Sequence, residues 1–246
     1  MTKHKIYFAS DFHLGIPNIK ESHKRERHIV SWLTQIEQDA KSIYLLGDIF
    51  DFWFEYKKVV PKGFVRLLGK LASLTDNGIE IHLFVGNHDL WINNYLKEEI
   101  GLIIHHKSEI IKQQDKKILI GHGDGLGKGD YLYKIIRKIF TSKICQWAFA
   151  RLHPNLAFSL AHTWSNNSRN NNGSVFISKE KEILFKYCKK QQESNPVDYY
   201  IFGHRHIPLE LKIDDTTTYV NLGDWLTHNT YAVLEKGFIQ IKKHKK

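Results

Sequence analysis

The chain has 246 residues, 42% of them hydrophobic, and carries 36 basic against 26 acidic residues for a formal net charge of +10. This length allows one large domain or two small ones with a real core, and the charge favours anionic partners: phosphates, nucleic acid or an anionic membrane surface. With only Cys145 and Cys188 present, no disulfide framework is implied and a reducing cytoplasm fits. No long apolar run opens the chain and none approaches about 18 residues, so neither a signal peptide nor a membrane-spanning helix is expected.

Residues 5–10 read as a first strand, and 25–40 as a helix with Ile29, Leu33, Ile36 and Ala40 on one face. A second strand ends at Leu46, and a second helix over 64–75 is closed by Asp76-Asn77-Gly78. Further strands end at Val85 and Ile120. Strands alternating with helices argue for a sheet with helices on its faces. The pattern then changes. Residues 131–140, 144–152 and 155–164 read as helices, the last two separated by His153-Pro154, and the Asn-rich stretch 165–174 as a loop. A helix over 180–192 and a strand over 198–202 return the chain to the sheet, followed by late strands over 217–221, 231–235 and 238–242, expected to be antiparallel.

Five short polar stretches each follow a strand. They are Asp11-Phe12-His13, Gly47-Asp48-Ile49-Phe50-Asp51, Gly86-Asn87-His88-Asp89, Gly121-His122-Gly123-Asp124 and Gly203-His204-Arg205-His206. In an open α/β sheet the carboxyl ends of the strands form the ligand crevice, so seven metal-type ligands converge there: Asp11, His13, Asp48, Asn87, His122, His204 and His206. Asp, His and Asn donors without cysteine suit Mn²⁺, Fe²⁺, Zn²⁺ or Mg²⁺. Phosphoester cleavage commonly uses two such ions about 3.5–4 Å apart, and Asp48, with two oxygens, is the natural bridge. Asp51 and Asp89 are expected to orient histidines or main chain. His105, His106, His153 and His162 have no motif around them and read as surface or structural.

The helical segment 125–169 interrupts the α/β pattern. It holds Lys128, Lys134, Arg137, Lys138, Lys143, Arg151 and Arg169 against one acid, Asp130, together with Tyr131, Tyr133, Phe140, Trp147, Phe149, Phe158 and Trp164. Cations with aromatics suit an amphiphile with a charged head and an apolar tail, or a membrane surface; the competing reading is that these apolar side chains pack the insert onto the main domain.

The order Asp-x-His, Gly-Asp-x-x-Asp, Gly-Asn-His-Asp, Gly-His, Gly-His-x-His resembles the calcineurin-like metallophosphoesterase superfamily. The resemblance implies a four-layer α/β sandwich, two mixed β-sheets flanked by helices, with a helical cap insertion at 125–169 and the core formed by 1–124 and 170–246. It further implies that Asp11, His13, Asp48 and His206 hold one metal, that Asp48, Asn87, His122 and His204 hold the other, and that His88 contacts the phosphate and can protonate a leaving group. The Gly47–Trp53 stretch, Gly121–Asp124 and Gly203–Pro208 with the insert between them are similar, more narrowly, to the UDP-2,3-diacylglucosamine pyrophosphatases of lipid A synthesis. That likeness implies hydrolysis of a UDP-linked diacylated sugar with Mn²⁺, peripherally on the cytoplasmic face of the inner membrane. It places Asn87, His88, Asp130, Ser165, Arg169 and His204 at the substrate. The chain departs from that group at His88, where better-known members carry arginine. The alternatives are a phosphoesterase of another substrate (nucleotide, phosphoprotein or other phospholipid), a nuclease or nucleic-acid binder, and a non-catalytic metal-bound scaffold. A small soluble substrate gives no reason for a cationic aromatic cap. Nucleic-acid proteins spread their basic residues along a stripe, whereas the excess here lies in the insert, so no nucleic-acid partner is expected.

Overall fold

In the computed structural model the described residues are 3–127, 131–171 and 176–245, of which 132, 162, 164 and 166–171 are described as backbone. The elements run β1 (Lys5–Ala9), α1 (Ile19–Ile36), β2 (Ala40–Leu45), α2 (Val65–Asp76), β3 (Glu80–Phe84), α3 (Tyr95–Ile100), β4 (Ile103–His105), β5 (Glu109–Gln113), β6 (Lys116–Gly121), α4 (Tyr131–Phe140), α5 (Lys143–Phe149), α6 (Pro154–Asn171), α7 (Ile183–Ser194), β7 (Tyr199–Phe202), β8 (Pro208–Lys212), β9 (Thr218–Leu222), β10 (Thr230–Glu235) and β11 (Phe238–Lys243).

The strands form two mixed sheets, ordered β11-β10-β1-β2-β3-β4 and β5-β6-β7-β9-β8. Alternation along each strand sends side chains to opposite faces, and both faces are covered. Ile6, Phe8, Tyr44, Leu46 and Phe84 of the first sheet meet Ile118, Ile120, Ile201, Val220 and Leu222 of the second. On the outer side of the first sheet, Tyr7, Ile43, Leu45, Ile81 and Leu83 pack with Ile29, Trp32 and Leu33 of α1 and Leu67, Leu71 and Leu74 of α2. Outside the second, Leu119, Tyr200, Phe202 and Tyr219 pack with Leu184 and Cys188 of α7. The result is the expected four layers, helix, sheet, sheet, helix. β1, β2 and β3 run parallel, as do β6 and β7, so the carboxyl ends of these five strands lie along one edge of the sandwich.

Several local expectations are corrected. The first helix begins at Ile19, because the Asn18 side chain accepts from the Glu21 N–H at 3.0 Å and so supplies an N-cap. It stops at Ile36, and Ala40 opens β2 instead of closing the helix. The stretch 165–174 is not a loop throughout: α6 continues to Asn171, with no Gly or Pro before Gly173 to interrupt it. Among the late strands β10 and β11 are antiparallel, but β9 pairs parallel with β7 and antiparallel with β8. β8, an edge strand opened by Pro208, was not read from the sequence, nor were the short α3, β4 and β5.

Helices α4–α6 lie over the loops that follow β2 and β3. The Trp91 indole N–H donates to the Phe140 carbonyl at 2.7 Å, and Phe149 packs against Trp91 and Phe54 with ring centroids 4.6 and 4.9 Å apart. Phe158 meets Phe52 edge-on at 5.0 Å. Packing onto the main domain thus accounts for Phe140, Phe149 and Phe158. It does not account for Ile135, Ile139, Ile144, Trp147, Leu156 and Leu160, all of which are exposed. Among the described residues, no helix is long and apolar enough to cross a membrane.

Because Ile201 is fully buried between the sheets, Ile201→Ala should destabilise the fold by about 2–5 kcal/mol through lost burial and the cavity left behind. Urea titration checks this, and a loss below about 1 kcal/mol would contradict the inter-sheet packing.

Candidate metal centre

Each of β1, β2, β3, β6 and β7 hands its chain to a polar turn at the same edge. The turns are joined by main-chain bonds: Asp11 N–H to Gly47 O at 3.0 Å, His13 N–H to Asp48 O at 2.9 Å, Gly203 N–H to His122 O at 3.0 Å. Five of the seven expected ligands adopt left-handed backbone conformations: Asp11 (φ 56°), His13 (43°), Asp48 (53°), His204 (68°) and His206 (54°). Residues with side chains rarely do so unless their surroundings over-determine them. Gly47 is required by close approach, since a Cβ there would lie 2.6 Å from His122 Nδ1. Gly86 is pressed in the same way against the Asp48 carboxylate.

The side chains gather into two groups. Donor atoms of Asp11, His13, Asp48 and His206 all lie within 4.8 Å of one another, as do those of Asp48, His122 and His204. In the first group His206 Nε2 is 3.2 Å from Asp11 Oδ1 and 3.2 Å from His13 Nε2, and His13 Nε2 is 3.6 Å from Asp48 Oδ2. In the second, His122 Nε2 is 3.2 Å from Asp48 Oδ2, and Asn87 Oδ1 lies 3.0 Å from His122 Nε2 and 2.9 Å from His204 Nδ1. Asp48 is common to both. Two carboxylates, four imidazoles and an amide oxygen, with no thiolate, form a donor set that fits borderline divalent cations. Two imidazole nitrogens 3.2 Å apart at buried carboxylates form a pair that a cation would satisfy.

The charges are strongly perturbed. Burial pushes the Asp48 carboxyl up, but His122, His88 and His13 more than offset it and hold it below the usual carboxylate range. Asp11 is likewise held low, its burial outweighed by His206 and His13. Burial opposes the charged form of His13, yet Asp11, Asp51 and Asp48 raise it to about 10. His122 is raised well above its ordinary value by Asp48 against the same opposition. His204 is pushed down to about 4 by burial and then by His122.

Residues around the centre hold it in place. Asp51 lies 3.5 Å from His13 Nδ1 and 3.6 Å from His88 Nδ1. Asp89, raised to about 7 by burial and the Asp48 charge, accepts from the Gly86 and Ile49 N–H groups, each at 2.8 Å. Three further residues went unread in the sequence. Asp224 accepts from the Thr227 and His228 N–H groups at 2.9 Å and stands 3.8 Å from His206 Nδ1. The pair Gly223-Asp224 directly after β9 repeats the strand-end Gly-Asp pattern and was the available signal. Glu182 pairs with Arg205 at 3.0 Å, and the Asn221 amide donates to Gly203 O at 2.5 Å, bracing the turn that carries His204 and His206. Nothing in a single sequence marks these last two.

Of the residues expected at the substrate, Asn87, His88 and His204 are gathered at the centre. Ser165 is also brought there, buried, with its hydroxyl 3.0 and 2.9 Å from the Asp51 carboxylate oxygens. Asp130 and the Arg169 side chain lie outside the described residues. His105 is stacked on Phe84 at 4.4 Å and touches His82, a structural placement, and His153 is exposed. His106 lines a cleft of about 180 Å³ with His122, Lys107, Asp124 and Arg137. The His162 side chain lies outside the described residues.

A model of the calcineurin-like phosphoesterase family matches residues 4–208. A UDP-2,3-diacylglucosamine hydrolase of Porphyromonas gingivalis is 37% identical over 244 residues, 93% of each chain. Proteins of the same name from Actinobacillus succinogenes and Histophilus somni are 26% and 27% identical, covering 94% and 95% of this chain and 95% and 98% of their own.

Neighbouring carboxylates raise His13 and His122, so in the metal-free protein at pH 7 both favour the charged imidazolium with a second ring proton, whereas His204, pushed down to about 4, is neutral. A cation entering the site must displace the extra proton of each imidazolium. Calorimetric titration with Mn²⁺ in buffers of different ionisation enthalpy should therefore show release of about two protons. Affinity should rise with pH toward the His13 value of about 10. Proton-neutral binding would contradict this charge arrangement.

Proposed function

The chain belongs to the calcineurin-like phosphoesterase family and to its UDP-2,3-diacylglucosamine hydrolase group, and from that premise we propose that it cleaves the pyrophosphate bond of UDP-2,3-diacylglucosamine to UMP and 2,3-diacylglucosamine 1-phosphate, a step of lipid A synthesis. The observation that carries the substrate assignment is the insert. It follows directly on His122-Gly123-Asp124, its Ser165 reaches Asp51 and His88, and α4–α6 expose apolar residues, Ile135, Ile139, Ile144, Trp147, Leu156 and Leu160, interspersed with cations. Arg151 lies over the Trp147 ring at 4.9 Å. Acyl chains with an anionic head match that combination, each buried CH₂ contributing about 0.8 kcal/mol before ordering costs. The same surface supports a peripheral seat on the cytoplasmic face of the inner membrane.

In this reading Asp11, His13, Asp48 and His206 hold one divalent ion and Asp48, Asn87, His122 and His204 the other, with Mn²⁺ the proposed metal. When bound, such a pair supplies charge neutralisation at the phosphoryl oxygens and a water of lowered pKa. His88 keeps its Nδ1 toward the Asp51 carbonyl, 3.2 Å away, which leaves Nε2 for the phosphate or the departing UMP oxygen. The Asp130 and Arg169 side chains are proposed for the sugar and phosphate of the substrate.

With purified protein and Mn²⁺, release of UMP from the diacylated substrate tests the assignment. Asp48→Asn should lose at least one ion and most activity. His88→Ala should keep its metal and lower turnover about 10²–10⁴-fold, the scale of lost acid–base help; loss of metal would reassign that residue. A deacylated UDP-sugar should show a much lower kcat/KM, since chain binding helps align the diphosphate. Equal values for the two substrates would remove the lipid reading.

A further inference from the structure

Helix α6 has two working surfaces. Toward the main domain, Ala157 is fully buried, Phe158 meets Phe52, and two turns further on Ser165 is buried at 5% exposure. Away from it, Leu156 and Leu160 are each 52% exposed. Residues seven apart recur on one helix face, so Phe158 and Ser165 dock the same side of α6 onto the 47–52 turn. The resemblance assigns Ser165 to the substrate, but its hydroxyl is engaged otherwise. It contacts both Asp51 oxygens, at 3.0 and 2.9 Å, and His88 Nδ1 at 3.1 Å.

A serine hydroxyl has one proton to donate and lone pairs to accept with. It can donate to the Asp51 carboxylate and at the same time accept from His88 Nδ1–H, which it shares with the Asp51 carbonyl 3.2 Å away. Asp51 in turn stands beside His13 Nδ1 at 3.5 Å and His88 Nδ1 at 3.6 Å. One carboxylate therefore touches a residue of the first donor group, the histidine next to Asn87, and the insert. We propose that Ser165 is a positioning residue: it fixes Asp51 and the His88 ring from the insert, so that the seating of α6 sets the orientation of the histidine that meets the phosphate. The exposed Leu156 and Leu160 are on the same helix, so whatever binds them bears on His88 through one rigid element. The identity of that ligand rests on the lipid reading; the role of Ser165 toward His88 does not.

The test compares Ser165→Ala and Ser165→Thr in the manganese-loaded protein on two substrates. One is UDP-2,3-diacylglucosamine. The other is bis(4-nitrophenyl) phosphate, a diester that reports on the centre whatever the natural substrate is. Ser165→Ala should lower kcat on both about tenfold, the lower end of effects seen when the hydrogen-bonded surroundings of metal-site ligands are altered, with KM and metal content unchanged. Ser165→Thr, which keeps the hydroxyl, should restore kcat. In a His88→Ala background the Ser165→Ala change should have no further effect, since residues acting through one another are non-additive. A raised KM with unchanged kcat would make Ser165 a substrate contact and overturn the proposal. So would an undiminished loss in the His88→Ala background, or failure of threonine to rescue. If the diacylated substrate is not turned over by the wild-type protein, the lipid reading falls while the diester still decides the role of Ser165.

Discussion

Two carboxylates, Asp11 and Asp48, are buried to 0% and 1% exposure, and the molecule is arranged around keeping them ionised. An isolated buried charge is prohibitively unfavourable. Here His13, His122 and His206 surround the pair, and main-chain donors point inward as well: the His88 N–H reaches Asp48 Oδ1 at 2.9 Å and the His204 N–H reaches Asp11 Oδ2 at 3.0 Å. No single sheet carries all of these groups. Asp11, Asp48 and His88 come from the first sheet, His122 and His204 from the second, so the two-sheet sandwich is what assembles the charge balance.

That assembly stresses the backbone locally. Left-handed turns at five side-chain-bearing positions, with motif glycines pressed against neighbouring polar atoms, lower stability by about 1–3 kcal/mol per strained residue. The inter-sheet and outer cores offset this with continuous apolar layers. The strain is confined to the rim where the strands end, and the strands themselves stay regular. Rigid strands leading into turns held by many bonds are what allow donor atoms to sit within a few ångströms of one another.

The parallel strands and the polar residues after them were legible because their signals are local: a short apolar run, then a glycine or an acid at a fixed offset. The division of the seven donors into two groups sharing Asp48 followed the resemblance rather than any spacing. Elements whose identity depends on partners were not legible. β4 has three residues and β5 is half exposed, so neither shows a buried-strand run. α6 continues through an Asn-rich stretch that reads as loop by composition. Glu182 and Asn221 act on the 203–206 turn from distant parts of the chain, and Ser165 is polar in sequence but meets Asp51 114 positions away. Contacts of that kind come from topology, which periodicity does not encode.

The order of strands in the first sheet has a consequence for biosynthesis. β1, which leads into the turn of Asp11 and His13, takes β10 as its neighbour on one side, with Ile6 opposite Leu234 and Phe8 opposite Ala232, and Trp225 closes over Phe12 and Trp32 with ring centroids 5.4 and 5.1 Å away. A nascent chain therefore holds β1 unpaired on that side until β10, Thr230–Glu235, has been made. Unpaired strand edges recruit other chains. A chain truncated before residue 230 leaves the ribosome with the strand that leads into Asp11 and His13 still unpaired on that side.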